Sequence, residues 1–229
     1  MAVGTAAPPQ APAPSADGDG AWRPAPRRFT REEYYRMAAA GVFAPDERVE
    51  IIEGEVFLVP PPGPMHDSLT DRIRDIVAGA FGAGHWTRAQ APLSLGMASE
   101  PQPDVAVVRG AWSDYLEAHP TIAELVIEVA QTTLEFDRVR RGSLYAAARI
   151  PEYWIVNLEQ DVLEVYRDPQ PGPVAPFGAS YGRMERLGRG AVISPLGAPG
   201  AVLPVESLLL PRALSNSAVA THPDPGCQA

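Results

Sequence analysis

Three acidic residues lie among neighbours that do not suit a free charge. Glu50 falls inside Val49-Glu50-Ile51-Ile52, Asp104 opens Asp104-Val105-Ala106-Val107-Val108, and Glu128 interrupts Leu125-Val126-Ile127-Glu128-Val129-Ala130. A carboxylate in an apolar strand is costly unless it gains a proton, a cationic partner or a metal. Converging carboxylates offer hard oxygen ligands of the kind Mg2+ takes. A bound ion of that kind activates water and stabilises charge building on a phosphate. Singly, each acid has a plainer reading, since an acid near a strand end is usually solvated or salt-bridged and Pro-Asp is a common turn dipeptide. The set says more than its parts: Pro103-Asp104, then Glu128 within a strand, then the arginines Arg138, Arg140 and Arg141. Those arginines could meet a phosphate backbone, although such a cluster is as often a solvated helix face.

The elements that must position these residues can be read from periodicity and punctuation. Thr30 and Glu33 form a capping box that opens a helix from Arg31 to about Ala40, ended by Gly41. Val49 to Val59 reads as two strands turning at Glu53-Gly54. Pro60–Pro64 is a stiff connector, and Leu69, Ile73, Ile76, Val77 and Ala80 mark a helix over His66–Phe81. Strands are predicted at Trp86–Leu95, Asp104–Val108 and Glu124–Ala130, the last apolar enough to be central. Trp112–Ala118 reads as a short helix. A longer one over Leu134–Ala148 stops before Pro151. Tyr153–Leu158 and Val162–Arg167 flank a turn at Glu159–Asp161, with further β structure at Tyr181–Leu187, Ala191–Ile193 and Ala201–Leu203. Trp154, Tyr153 and Ile155 are core candidates. This order is a mixed α/β plan.

Composition bounds the rest. The 229 residues carry 19 basic and 28 acidic side chains, a net charge of −9. That balance argues against a monomer that binds nucleic acid tightly through its overall charge, but a local basic cleft is compatible with it. All 19 basic residues are arginine, so no mechanism that needs a lysine amine operates here. Cys227 is the only cysteine, which excludes an internal disulfide framework. No apolar run reaches membrane-spanning length, and the Ala/Pro-rich start lacks the plan of a secretory signal. The expectation is a cytoplasmic protein with no membrane partner. Residues 1–26 and 212–229 are expected to be a disordered leader and tail, leaving 27–211 as one domain. There is no P-loop, GxGxxG, CxxC pair or GxSxG, so a nucleotide cofactor, a zinc site and a serine hydrolase lack support.

The segments Pro103-Asp104, Glu128-Val129-Ala130, Asp137-Arg138, Tyr145-Ala146 and Ile150-Pro151-Glu152-Tyr153-Trp154-Ile155-Val156 resemble the bacterial putative restriction endonuclease family of the PD-(D/E)XK superfamily. Phe29-Thr30, Glu33-Tyr34, Glu50 to Glu55, the proline run and His66 agree with it. The resemblance implies a restriction-endonuclease-like mixed central sheet flanked by helices, with an additional N-terminal helix and β-hairpin. It implies a metal-dependent endonuclease acting on DNA, with Mg2+ or Mn2+ as cofactor and a homodimer as one way to cut both strands. Asp104 and Glu128 match the metal-binding acids, Glu50 an upstream acid and His66 a recurrent histidine near the site. For His66 the plainer alternative is a helix cap.

The departures centre on the basic catalytic position. The superfamily lysine position is Ala130 here. In this family the lysine falls four residues after the aspartate of the Asp-Arg pair, where this chain has Arg141, which holds its charge but is a poor proton acceptor. Gln131 stands where relatives often have an acid or serine, Asn157 where the strand often ends in aspartate, and Arg149 where glycine is usual. A catalytically silent binding or regulatory module is therefore the rival expectation.

Overall fold

The computed structural model describes residues 25–212. The segments expected to be a disordered leader and tail fall outside the described residues, except for residues 25, 26 and 212. The first helix, α1 (Arg31–Ala39), carries the predicted capping box, with the Thr30 side chain accepting from the Glu33 amide and the Glu33 carboxylate accepting from the Thr30 amide. Strands β1 (Val49–Ile52) and β2 (Glu55–Leu58) pair antiparallel with Ile52 opposite Glu55, leaving the two-residue turn Glu53-Gly54. Both turn residues have positive φ, +48° and +78°, as a hairpin matching the strand twist requires. An added Cβ at Gly54 would lie 2.6 Å from Arg28 Cβ and 2.9 Å from the backbone N and O of Phe29. Gly54→Ala is therefore expected to cost about 1–3 kcal/mol, from left-handed strain plus overpacking against backbone. Urea unfolding checks this, and a loss below half a kcal/mol would contradict it.

The proline connector leads into α2 (Pro64–Phe81), which lays Leu69, Ile73, Val77 and Phe81 on one face of the main sheet. That sheet has six strands in the order β3 (His85–Ala89), β4 (Val105–Arg109), β5 (Leu125–Ala130), β6 (Glu152–Asn157), β7 (Val162–Pro171) and β8 (Ala179–Leu187). Only β5 and β6 run parallel, and such a pair needs a crossover element. A third helix, α3, supplies it: α-helical over Leu134–Phe136, widened to a π turn over Asp137–Arg141, and α-helical again over Gly142–Ala147. Sequence periodicity predicts the helix but not the π turn.

Strand alternation splits the core in two. Leu125, Ile127 and Val129 of β5, with Val105, Val107, Trp154 and Val156, face α2 and the C-terminal segment Val205–Leu210. Val126 and Ala130, with Ala106, Val108, Tyr153 and Ile155, face α3 and Ile52 of the hairpin. Tyr153, Trp154 and Ile155 are fully buried, as expected of core residues. Each such side chain contributes about 1.5–3 kcal/mol of transfer free energy. The same parity puts Glu128 on the α3 side, because it lies two residues from both Val126 and Ala130. Extending the β4–β5 register beyond Val105↔Ile127 places Asp104 opposite Glu128 on that side.

Several predicted boundaries shift. The strand expected over Trp86–Leu95 ends at Ala89, where Gln90 takes φ +47° and turns the chain away. Trp112–Tyr115 forms one 3-10 turn rather than a helix to Ala118. The late strands shrink to short pairs, β9 (Val192–Ile193) with β10 (Leu203–Pro204), while β8 starts two residues earlier than predicted. Arg149 adopts φ +60°, in the left-handed region that only glycine enters without a steric penalty.

A second buried ionic cluster braces α3 against the sheet. Glu164 of β7 is fully buried and accepts from Arg138, Tyr166 and the Asn157 amide. An aspartate at position 157 would set a second carboxylate against Glu164, whereas the asparagine donates to it. Burial alone would raise the Glu164 pKa, but the hydrogen bonds from Arg138, Tyr166 and Asn157 and the Arg138 charge outweigh it, bringing the carboxyl down to about 2 from an ordinary 4.5. A depressed folded-state pKa means the contribution is complete above the unfolded value and is lost as pH falls through the folded one. Between about pH 4.5 and 2 the native chain is thus expected to lose stability more steeply than Glu164→Gln. Denaturation midpoints at pH 6, 4 and 3 check this, and parallel slopes would refute it.

Candidate active site

The proline connector, the hairpin, the ends of β4 and β5 and the π turn of α3 enclose a cleft of about 420 Å3. Glu50, His66, Asp104, Glu128, Gln131 and Arg141, the six site candidates read from the sequence, all line it. Leu58, Val59 and Pro60–Pro62 form one wall, and the stiffness of the proline run holds that wall open.

Two hydrogen-bonded groups share the floor. On the sheet side, the Val129 amide donates to Asp104 Oδ2 at 2.8 Å and the Asp104 amide donates to Glu128 Oε2 at 3.2 Å. This reciprocal pairing ties the two acids to each other's strand. His66 Nε2 lies 3.2 Å from both Asp104 Oδ2 and the Val129 carbonyl oxygen. The helix N-cap is Gly63 with Pro64 following it, so His66 lines the cleft and is not the cap. The hydrogen bond to Asp104 raises the His66 pKa against the opposing effect of burial.

On the helix side, Arg141 donates from Nη2 to Glu50 Oε1 at 2.8 Å and from Nη1 to Glu128 Oε1. Its Nε lies 3.5 Å from Asp137 Oδ1. Tyr145 donates to Glu128 Oε1 at 2.6 Å, and the Gln102 amide donates to Glu50 Oε2 at 3.1 Å. The Arg141 side chain is 9% exposed, against 2% for Glu50 and 4% for Glu128. Asp137, Arg141 and Tyr145 recur every fourth residue, so one helix face carries all three. Within the π turn the Gly142 amide bonds to the Asp137 carbonyl, and Tyr153 donates to the same carbonyl at 3.1 Å. A π turn widens a helix locally and is frequent at functional sites.

The electrostatics follow from a count of charges. Four carboxyl groups, Glu50, Asp104, Glu128 and Asp137, share the cleft with one imidazole and two guanidinium groups, Arg48 and Arg141, of which, among the described residues, only Arg141 is ion-paired to them. Burial pushes the Glu128 carboxyl well above the usual range, with Arg141 opposing and Asp104 and Asp137 adding to the rise. Burial likewise raises Asp137 to about 6. Burial disfavours charge on Arg141, but Glu128, Glu50 and Asp137 more than compensate and hold it firmly protonated.

The arginine cluster is neither free for a phosphate backbone nor a solvated face. Arg138 pairs with Glu164, Arg140 with Glu55, and Arg141 with Glu50 and Glu128. Among the arginines lining the cleft, Arg48 is the one with no ion pair among the described residues. It was not singled out from sequence, because Asp46-Glu47-Arg48 reads as a polar loop. Asp137 and Tyr145 were also missed as site residues. Their spacing of four either side of Arg141 was the available signal.

A sequence model of the family Uma2, described as "Putative restriction endonuclease", matches residues 31–206. The chain belongs to this family. A solved structure described as a putative nuclease belonging to DUF820, from Anabaena variabilis, matches with a TM-score of 0.57 and 15% identity, covering 79% of this chain and 97% of that one. At that identity the likeness shows the fold, a mixed central sheet with flanking helices and a hairpin, as the sequence resemblance implied. No curated protein matches the chain. No helix among the described residues is long and apolar enough to cross a membrane.

The donor set meets the chemistry of a hard divalent ion on the sheet side. Among the described residues no three His, Cys, Asp or Glu side chains form a ready-made metal cluster. Mg2+, however, is typically held by one or two carboxylates with waters and substrate phosphate completing its shell. Asp104 and Glu128 provide those carboxylates at the cleft, beside the Val129 carbonyl.

Proposed function

We propose that this family member is a divalent-metal-dependent endonuclease acting on DNA, with Asp104 and Glu128 holding the ion. The observation that supports this most is the convergence of Glu50, His66, Asp104, Glu128 and Arg141, from β1, α2, the start of β4, β5 and α3, on one open cleft. Mg2+ or Mn2+, when bound, would polarise a phosphate oxygen and lower the pKa of a water. The chain's own residues would do the rest. Arg48, unpaired at the cleft, would draw a phosphate of the backbone toward it. His66 would steady Asp104. Arg141 would keep Glu50 and Glu128 oriented and present positive charge below the scissile group. The proline wall would limit how deeply a duplex enters.

A second reading is favoured by one specific observation. Arg141 turns inward to Glu50 and Glu128, where the family lysine would serve the reaction. A chain arranged so could bind DNA without cutting it. The deciding experiment incubates supercoiled plasmid with purified protein and Mg2+ or Mn2+, with EDTA and Glu128→Gln as controls. Nicking that requires both the ion and Glu128 is the expected result. A salt-sensitive shift of DNA with no nicking under either ion would favour the binding module.

A further inference from the structure

Two sets of carboxylate oxygens on the cleft floor have different partners. Asp104 Oδ2 and Glu128 Oε2 belong to the sheet-side set, with the Val129 carbonyl and His66. Glu50 Oε1 and Glu128 Oε1 turn the other way and accept from Arg141 Nη2 and Nη1, while Asp137 Oδ1 lies 3.5 Å from its Nε without a hydrogen bond. Two-metal phosphodiester chemistry needs a second cation beside the first, and a second group of acids such as this one could hold it. Here the space is filled by a side chain.

We propose that Arg141 is the second cation of this site: its guanidinium takes the position bounded by Glu50, Glu128 and Asp137, so the protein binds a single divalent ion, on the Asp104 side. The inference rests on the metal-dependent reading above and specifies its stoichiometry. Three features make the guanidinium a fixed occupant. It is planar and forked, so one group satisfies Glu50 and Glu128 together. It does not deprotonate, so it cannot leave as a neutral amine in the way a lysine can. It is enclosed, with 9% of the side chain exposed and the Phe136 ring 5.8 Å from its carbon. The other Glu50 oxygen is already engaged by the Gln102 amide. Among the described residues Glu50 makes no hydrogen bond to Asp104, His66 or Val129, whereas Glu128 accepts from the Asp104 amide, so Glu50 acts as a positioning residue for Arg141 and not as a ligand.

The test counts bound Mn2+ on the full chain by electron paramagnetic resonance of the free ion, with calorimetry alongside. The expected result is one saturable Mn2+ per native chain, with affinity lowered more than about 100-fold by Asp104→Asn, since even outer-shell changes cost 10–100-fold. Arg141→Met is expected to bind two, the second being lost again in Glu50→Gln/Arg141→Met. Should Arg141→Met be unfolded without metal, Mn2+ is expected to refold it, read by circular dichroism, because the ion replaces the missing charge. Two Mn2+ per native chain would overturn the proposal while leaving metal dependence intact. So would an Arg141→Met that gains no second ion and no Mn2+-dependent fold. No Mn2+ on the native chain at all would remove the metal-dependent reading and this inference with it.

Discussion

Asp104→Asn is expected to lower plasmid nicking by at least about a thousandfold, equivalent to roughly 4 kcal/mol of transition-state stabilisation, while leaving the fold in place. The two halves of this expectation have separate causes. The asparagine removes the anionic oxygen aimed at the cleft, and with it one of two carboxylates available to a hard ion. Lewis-acid stabilisation of a phosphate transition state is worth several kcal/mol, so its loss is not made good by Arg48 or Arg141. Stability should change by less than about 1 kcal/mol, because the amide oxygen can still accept from the Val129 amide. Removing one of four crowded carboxyls also relieves repulsion against Glu128. Nicking rates beside urea midpoints separate the two effects. Nicking at native rates by a folded Asp104→Asn would defeat the assignment of Asp104, and a variant that unfolds would show that its role is structural.

The site was legible in the sequence wherever one residue's chemistry conflicted with its neighbours. Glu50, Asp104 and Glu128 stood out because each is an acid among apolar strand residues; strand parity brings Asp104 and Glu128 to one side of the main sheet, and the separate hairpin adds Glu50 there. Gly54 was legible because its turn demands positive φ at two successive residues. Arg141 was legible as a position but not as a conformation. Nothing in Asp137-Arg138-Val139-Arg140-Arg141 announces a π turn, since helical spacing is similar in either geometry over so few residues. Nor does the spacing say that three neighbouring arginines pair with three different elements, because Glu164, Glu55 and Glu50 are distant in sequence. Ion-pair partners of that kind are settled by tertiary packing. Arg48 escaped notice for the opposite reason, since an arginine in a charged loop looks ordinary until the cleft around it is known. Strand ends such as Ala89 were misjudged because Gln90 enters the left-handed region without being glycine or asparagine.

Arg141→Met is expected to destabilise the metal-free protein by about 3–5 kcal/mol, as is usual when one partner of a buried ionic group is removed. Methionine is the informative replacement, because it keeps much of the volume of the arginine stem while removing the charge. The loss is large because Arg141 serves two carboxylates at once, and Glu50 and Glu128 are 2% and 4% exposed with no other cation within hydrogen-bonding distance among the described residues. Tyr145 and the Gln102 and Asp104 amides remain as neutral donors, so the acids keep hydrogen bonds but lose their counter-charge. Arg141→Lys should lie between native and methionine, since an ammonium is a point charge and cannot fork across both acids. If counter-charge is the cause, adding Glu50→Gln to Arg141→Met should recover about 1–2 kcal/mol, a coupling that a packing defect would not produce. Urea unfolding of the four proteins in EDTA measures this directly. A methionine variant within 1 kcal/mol of native would mean that the cleft tolerates its acids by taking up protons, and that the guanidinium is dispensable to the fold.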